Sequence, residues 1–342
     1  MNPRELERTA NRLMADAKGI LAADESTRTI TKRLAGIEVE GTEENRRAYR
    51  ELLFTTPEME RYISGVILYD ETIRQKAQDG TPFPTLLEHR GVIPGIKVDT
   101  GTFPLANFPG EVVTEGLDGL GGRLLEYHKL GARFAKWRAV IAISPDTPTH
   151  GAVAANAHAL ARYAALCQEV GIVPIVEPEV LMDGDHSLAR SEEVTEATLN
   201  TVFEQLRDQK VLFEGMLLKP NMVVPGEGSS QQASVSEVAE ATLRVLRRTV
   251  PAAVPGIVFL SGGQSPERAT EHLNAMNALG DQPWKLSFSY GRALQEPVLD
   301  AWRGRQENVS NAQQQFRKRA ELNSAAQRGE YSAQMEVPAT GA

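Results

Sequence analysis

Short apolar runs recur along this chain, and each closes on polar or charged side chains. They begin near Gly19 (GILAADES), Ser64 (SGVILYDE), Ile93 (IPGIKVD), Arg133 (RFAKWRAVI), Ile172 (IVPIVEPE), Gly215 (GMLLKPN), Gly256 (GIVFLSGG) and Lys285 (KLSFSYG). The runs are continuously apolar rather than alternating, as strands buried on both faces require. Successive starts lie from 29 residues (Ser64 to Ile93) to 45 residues (Gly19 to Ser64) apart, which leaves room for a helix in each crossover. Eight such units predict an α/β fold, a (β/α)8 TIM barrel, whose chemistry sits on the rim where the strands end.

Helical spacing fills several of the gaps, notably from Ala152 to Val170, with Gly171 placed as a C-cap. Thr56-Pro57 and Ser265-Pro266 each set a hydroxyl before a proline, the signature of a helix start. No linker or fixed-period repeat interrupts the chain. Residues 1–330 therefore read as one domain with a last helix from about Asn308, and 331–342 as a flexible C-terminal tail.

Composition narrows the function classes. With 41% hydrophobic and 24% charged residues, the 342-residue chain can bury a large core and is too apolar for disorder. Net charge is −8, which argues against a broad nucleic-acid surface but allows local basic pockets for anions. The lone Cys167 excludes an intrachain disulfide and a thiolate cluster, and reads as a buried helix residue. No apolar span is long enough to cross a bilayer and the N-terminus is too charged for a signal sequence, so a cytoplasmic location without membrane contact is expected.

Side chains two apart on a strand share a face. Lys97 with Asp99, Lys136 with Arg138, and Glu177 with Glu179 would each point together into the barrel mouth, joined by Asp24, Lys219 and Ser261 from other strands and by Arg292 after the eighth. One charge inside an apolar run is usually a structural ion pair. Six strands supplying such groups point instead to a site.

Lys219 stands at the end of GMLLKPN, and alone it reads as a lysine snorkelling at a strand end. In company it can do more. A lysine amine is nucleophilic when neutral, a state favoured by desolvation and by a nearby cation such as Lys136. Its product with a ketone is an iminium ion that draws electrons from the adjacent carbon, so a carbon–carbon bond there can break or form. Asp24, Glu177 and Glu179 could supply the proton transfers. After the seventh run, Ser261-Gly262-Gly263-Gln264 precedes the helix start predicted at Ser265-Pro266, and exposed backbone N–H groups there suit a phosphate as well as they suit an ordinary loop. Arg292, just after the eighth run, strengthens the phosphate reading.

At these residues the chain resembles class I fructose-bisphosphate aldolase, the Schiff-base family of glycolysis. The likeness runs from about Gly19 to Trp302 through GILAADEST (19–27), TEENRR (42–47), GIKVD (95–99), GLDGL (116–120), FAKWR (134–138), VEPE (176–179), LLKPNMV (217–223), FLSGGQS (259–265) and FSYGRALQ (288–295). The resemblance implies that Lys219 is the Schiff-base lysine and Glu177 the acid/base for carbinolamine dehydration, with Glu179 tuning it. It implies that Asp24 takes the C4 hydroxyl proton and that Lys136 gives electrostatic support. Ser261, Gly262, Gly263, Ser289 and Arg292 match the ketose-phosphate site. Arg33, Arg46, Lys97 and Arg138 match basic residues of the other end of the substrate. Implied are cleavage of fructose 1,6-bisphosphate to dihydroxyacetone phosphate and glyceraldehyde 3-phosphate, no cofactor, no metal, and a homo-oligomer, a tetramer.

Two departures from the family pattern stand out. The chain ends Ala339-Thr-Gly-Ala342 where many members end in a tyrosine that assists proton exchange at the enamine, and Tyr331 is no equivalent by position. A water or another side chain is expected in that step. Arg28 also stands where animal relatives usually have a small residue, so affinity for the second phosphate is expected to differ. Three competing readings are a metal-dependent aldolase, another Schiff-base enzyme such as a transaldolase, and a non-catalytic scaffold. The six histidines (His89, His128, His150, His158, His186, His272) show no close ligand spacing. Trp137, Trp284 and Trp302 read as core, and the basic pairs Arg247-Arg248 and Arg317 to Arg319 as solvated helix faces.

Overall fold

The computed structural model describes residues 2–337. The eight apolar runs become strands β1 (Gly19–Ala22), β2 (Ile63–Leu68), β3 (Ile93–Lys97), β4 (Phe134–Ile141), β5 (Val173–Val180), β6 (Leu217–Leu218), β7 (Gly256–Phe259) and β8 (Lys285–Tyr290). All pair in parallel and in chain order, and β8 returns to β1 to close the barrel. Closure removes the unpaired edges that an open sheet would expose.

Two hydrophobic layers hold the barrel. Inside it, Ile20, Ile67, Phe134, Ile175, Leu217 and Val258 form one cluster with Leu6 and Leu13 of the first helix (Pro3–Leu13) and with its C-cap Met14, and this segment plugs the floor. Phe134 needs its neighbours to be small: a Cβ on Gly95 would lie 2.3 Å from its ring. Outside, the helices cover the barrel with a second cluster that includes Trp137, Trp284 and Trp302. Cys167 is buried as expected.

Two of the three helix-end signals hold. The helix expected from Ala152 runs His150–Glu169, and Gly171 then takes φ 80, the left-handed turn that releases the chain into β5. The helix Pro266–Ala278 begins where Ser265 accepts the Arg268 N–H. Thr56-Pro57 corrects the expectation: only a short 3-10 turn, Met59–Arg61, follows. The Thr56 hydroxyl donates back to the Leu52 carbonyl at 3.0 Å, so it serves the end of the preceding helix and caps no new one. The hairpin Gly101–Pro104 with Val112–Glu115 was not anticipated.

The last helix runs Val309–Gln327. Of the tail expected from residue 331, the part through Val337 is docked. Tyr331 is buried with its hydroxyl on Glu336 at 3.0 Å, and Glu336 pairs with the buried Arg319 at 2.6 Å. Residues 338–342 lie outside the described residues. Among the described residues, no helix is long and apolar enough to cross a membrane.

Candidate active site

The C-terminal ends of the strands enclose a cavity of about 340 Å³. Its wall carries Asp24 from the end of β1, Lys97 and Asp99 from β3, Lys136 and Arg138 on β4, and Glu177 and Glu179 on β5. Lys219 follows β6, Ser261 and Gly262 follow β7, and Ser289 and Arg292 come from the end of β8. The parallel register explains the convergence: Lys97 lies opposite Lys136, and Arg138 opposite Glu177. Pro220 ends β6 after Leu218 because proline has no N–H to donate, yet Lys219 is still fixed by its own N–H on the Val176 carbonyl at 2.8 Å.

At the centre, Glu177 lies between two amines. Lys219 Nζ is 3.3 Å from its Oε1 and Lys136 Nζ 3.2 Å from its Oε2, and the second ammonium also pairs with Asp24 at 2.7 Å. All are nearly out of water, Lys219 at 3%, Lys136 at 4% and Glu177 at 3% exposure. Burial alone would push the Lys136 amine down, but Asp24 and then Glu177 outweigh it and hold it well above an ordinary lysine. Burial likewise works to raise the Asp24 carboxyl, and Lys136 followed by Lys219 overcomes this and holds it well below the carboxylate range. Glu177 is lowered by the same balance, with Lys136 again the largest opponent of burial. The centre is a charged lattice of two carboxylates and two amines. Glu177 Oε2 accepts no aligned hydrogen bond, which leaves a lone pair for a substrate oxygen.

The β1–β4 side of the wall is a set of closed pairs. Lys97 contacts Asp99 at 2.6 Å, Arg138 pairs with Glu179, and Arg33 pairs with Glu25. The β7–β8 side differs. Gly262 and Gly263 adopt φ 54 and 92, and a Cβ on Gly263 would come within 3.2 Å of Met182 Sδ and 3.4 Å of Arg292 Nη2. Both glycines are thus required by conformation and by crowding, since a Cβ on Gly262 would lie 2.8 Å from Leu260 Cδ1. Ser289 Oγ is buried without a partner. Gln264 anchors the loop from behind, 2.5 Å from Nδ1 of the buried His272.

Of the residues expected in the site, the cavity gathers all but two. Gly263 sits just behind the wall, beside Arg292. Arg46 is not brought in: it is held by Glu71 at 2.5 and 2.8 Å and by the Gly41 carbonyl at 2.5 Å. Arg28 is exposed and does not line the cavity. Glu25, Ser26, Thr29, Gly101 and Thr102 line it without having been singled out. Glu25 adjoins Asp24, and its place in the conspicuous run Ala-Ala-Asp-Glu-Ser was its only signal; Gly101 and Thr102 depend on the unforeseen hairpin. Among the described residues, no cluster of His, Cys, Asp or Glu could hold a metal ion.

Fold and site together define a (β/α)8-barrel enzyme built around a buried, carboxylate-paired lysine. The sequence pattern described as "Glycolytic: Fructose-bisphosphate aldolase class-I" matches residues 5–341. The chain is 58% identical over 332 residues to the probable fructose-bisphosphate aldolase class 1 of Xanthomonas campestris, covering 97% of this chain and 99% of the relative. It is 57% identical over 328 residues to fructose-bisphosphate aldolase 6, cytosolic, of Arabidopsis thaliana, covering 96% and 91%. A solved structure of fructose-bisphosphate aldolase from Plasmodium falciparum, in complex with TRAP and a small-molecule inhibitor, superposes with a TM-score of 0.96 at 50% identity, covering 97% of this chain and 96% of that one.

The chain belongs to the class I fructose-bisphosphate aldolase family. It is a carbon–carbon lyase that reversibly cleaves fructose 1,6-bisphosphate to dihydroxyacetone phosphate and glyceraldehyde 3-phosphate, in glycolysis and gluconeogenesis. Membership of this family favours the fructose-bisphosphate aldolase reading over the transaldolase one.

Proposed function

We propose that Lys219 is the nucleophile and that its partners divide the proton transfers as follows. Glu177 takes the proton of the Lys219 ammonium, and the freed amine attacks the C2 ketone of the substrate. Glu177 returns that proton to the carbinolamine hydroxyl, water leaves, and a protonated Schiff base forms. Asp24 takes the C4 hydroxyl proton, the C3–C4 bond breaks, and its electron pair flows into the iminium to leave an enamine as the aldehyde departs. Asp24 returns its proton through a water to C3 of the enamine, and hydrolysis of the resulting iminium releases dihydroxyacetone phosphate and restores Lys219 and Asp24. Lys136 stays cationic throughout and Glu179 orients Arg138. Ser261, Gly262, Gly263, Ser289 and Arg292 hold the ketose phosphate, and Arg33, Lys97 and Arg138 the other phosphate. Arg46 has support only from the resemblance.

What carries this reading is Glu177 standing between the two amines at 3.3 and 3.2 Å, within relay distance of Lys219 after a small adjustment. Borohydride reduction with substrate present, followed by peptide mapping, tests it. The expected product is a stable adduct on the Lys219 peptide, undiminished by chelator; adduct on another lysine, or none while cleavage persists, would refute it. The same reading makes residues 1–330 the catalytic barrel, against which 331–337 dock, and the enzyme a cytoplasmic homotetramer. Sedimentation equilibrium measures the assembly. Deleting residues 331–342 leaves enamine proton exchange intact if water serves that step.

A further inference from the structure

Behind the cavity wall lies a buried polar cluster to which this mechanism assigns nothing. Arg50, on the helix Glu43–Phe54, is 2% exposed and does not line the cavity. Its Nη2 donates to Glu25 Oε2 at 2.5 Å and its Nη1 to Gln295 Oε1 at 3.4 Å. Gln295, on the helix Arg292–Trp302, is fully buried and donates through Nε2 to Glu25 Oε1 at 2.8 Å and to the Ala22 carbonyl at 2.7 Å. The Tyr49 hydroxyl donates to Gln295 Oε1 at 3.1 Å, so the amide is held at both ends.

Glu25 therefore grips two guanidiniums of different standing. Arg33 faces the cavity and Arg50 does not. A carboxylate removed from water is stable only while cations or donors remain on it. When Arg33 turns toward a bound anion, Arg50 and Gln295 still satisfy Glu25. Without Arg50, Arg33 would be the only cation in contact with that carboxylate, and the anion would have to compete for it. Gln295 also pins the end of β1, two residues before Asp24.

We propose that Arg50 and Gln295 are positioning residues for the aldol cleavage: Arg50 leaves Arg33 available to substrate phosphate, and Gln295 keeps the Ala22–Glu25 segment set so that Asp24 stays on Lys136. This rests on the aldolase reading above. The balance at Glu25 agrees with it: burial works to raise the carboxyl, and Arg50, then Arg33, overcome this and hold it low.

Steady-state cleavage of fructose 1,6-bisphosphate by the full chain tests the pair, with thermal unfolding measured alongside. Arg50→Met is expected to raise KM about tenfold or more and to lower kcat less than about threefold. The double variant Glu25→Gln with Arg50→Met is expected to return KM to within about threefold of wild type, because the amide no longer competes for Arg33. A merely structural role predicts lower thermal stability with no such rescue, and that result overturns the proposal. If Arg50→Met does not fold, Gln295→Met decides: kcat is expected to fall about threefold or more through the loosened Asp24 segment, and unchanged kinetics overturn the proposal. Wild type inactive on the substrate would sink the aldolase reading and this inference together, whereas active wild type with indifferent variants sinks this inference alone.

Discussion

The two sides of the cavity are prepared for anions in different ways. On the β7–β8 side, Ser289 Oγ is buried without a partner and Arg292, among the described residues, enters no ion pair or side-chain hydrogen bond, beside a loop of two left-handed glycines. On the β1–β4 side, Lys97, Arg138 and Arg33 are each already paired, with Asp99, Glu179 and a Glu25 that Arg33 shares with Arg50. A phosphate entering the first side meets uncommitted donors, while one entering the second must exchange with an internal carboxylate. Preorganised donors give the larger share of affinity, because no partner is displaced and no charge is stranded. The first side is thus suited to anchor the phosphate common to fructose 1,6-bisphosphate and fructose 1-phosphate, and the second to discriminate between them.

The contrast can be broken most directly at Arg292. Arg292→Ala is expected to raise KM about 30- to 100-fold for both sugars, the loss of a charge-assisted phosphate contact of about 2–3 kcal/mol. A change confined to the bisphosphate would reverse the assignment of the two sides. Next, Lys97→Met is expected to raise KM for fructose 1,6-bisphosphate about tenfold and to leave fructose 1-phosphate nearly unchanged, since its cation is already partly spent on Asp99. Equal effects on the two substrates would erase the distinction.

Gly263→Ala sharpens the preorganisation claim. At φ 92 an alanine is strained, and its Cβ would press on Met182 Sδ at 3.2 Å, beside Arg292. A stability loss of about 1–2 kcal/mol in urea unfolding is expected with a roughly fivefold rise in KM for either sugar. Unfolding without a KM change would separate the loop from phosphate binding.

The last expected effect is on stability rather than phosphate binding and concerns His272, which burial and then Arg268 push down to about 4 from an ordinary value of 6.5. Because the folded state resists protonation, the stability this residue contributes is complete above the unfolded value and is lost as pH falls from 6.5 toward 4. Between pH 7 and about pH 4.5, wild type is expected to lose about 2 kcal/mol more than His272→Gln, read as the difference in urea midpoints. Parallel pH profiles for the two proteins would show that His272 does not carry this dependence.

What could be read ahead followed from short-range rules. The eight runs predicted eight strands because parallel strands covered on both faces have to be apolar throughout, and i, i+2 spacing put Lys136 with Arg138 and Glu177 with Glu179 on the inner face. The Thr56-Pro57 signal failed because a hydroxyl can serve the helix behind it as readily as one ahead. The hairpin at Gly101–Glu115 escaped because its strands are only four residues each and mostly not buried, so no apolar run marks them.

The sequence by itself determined the strand count, the rim on which the chemistry lies and the residue types that form it, since these depend on local periodicity and on motifs in a set order. Only the tertiary structure decided who pairs with whom. Glu177 sits between Lys136 and Lys219, Arg46 turns away to Glu71, and Arg50 reaches Glu25 from the helix Glu43–Phe54. Ion pairing in a buried cavity depends on a few ångströms between side chains far apart in the chain, and such distances exist only once the barrel has closed.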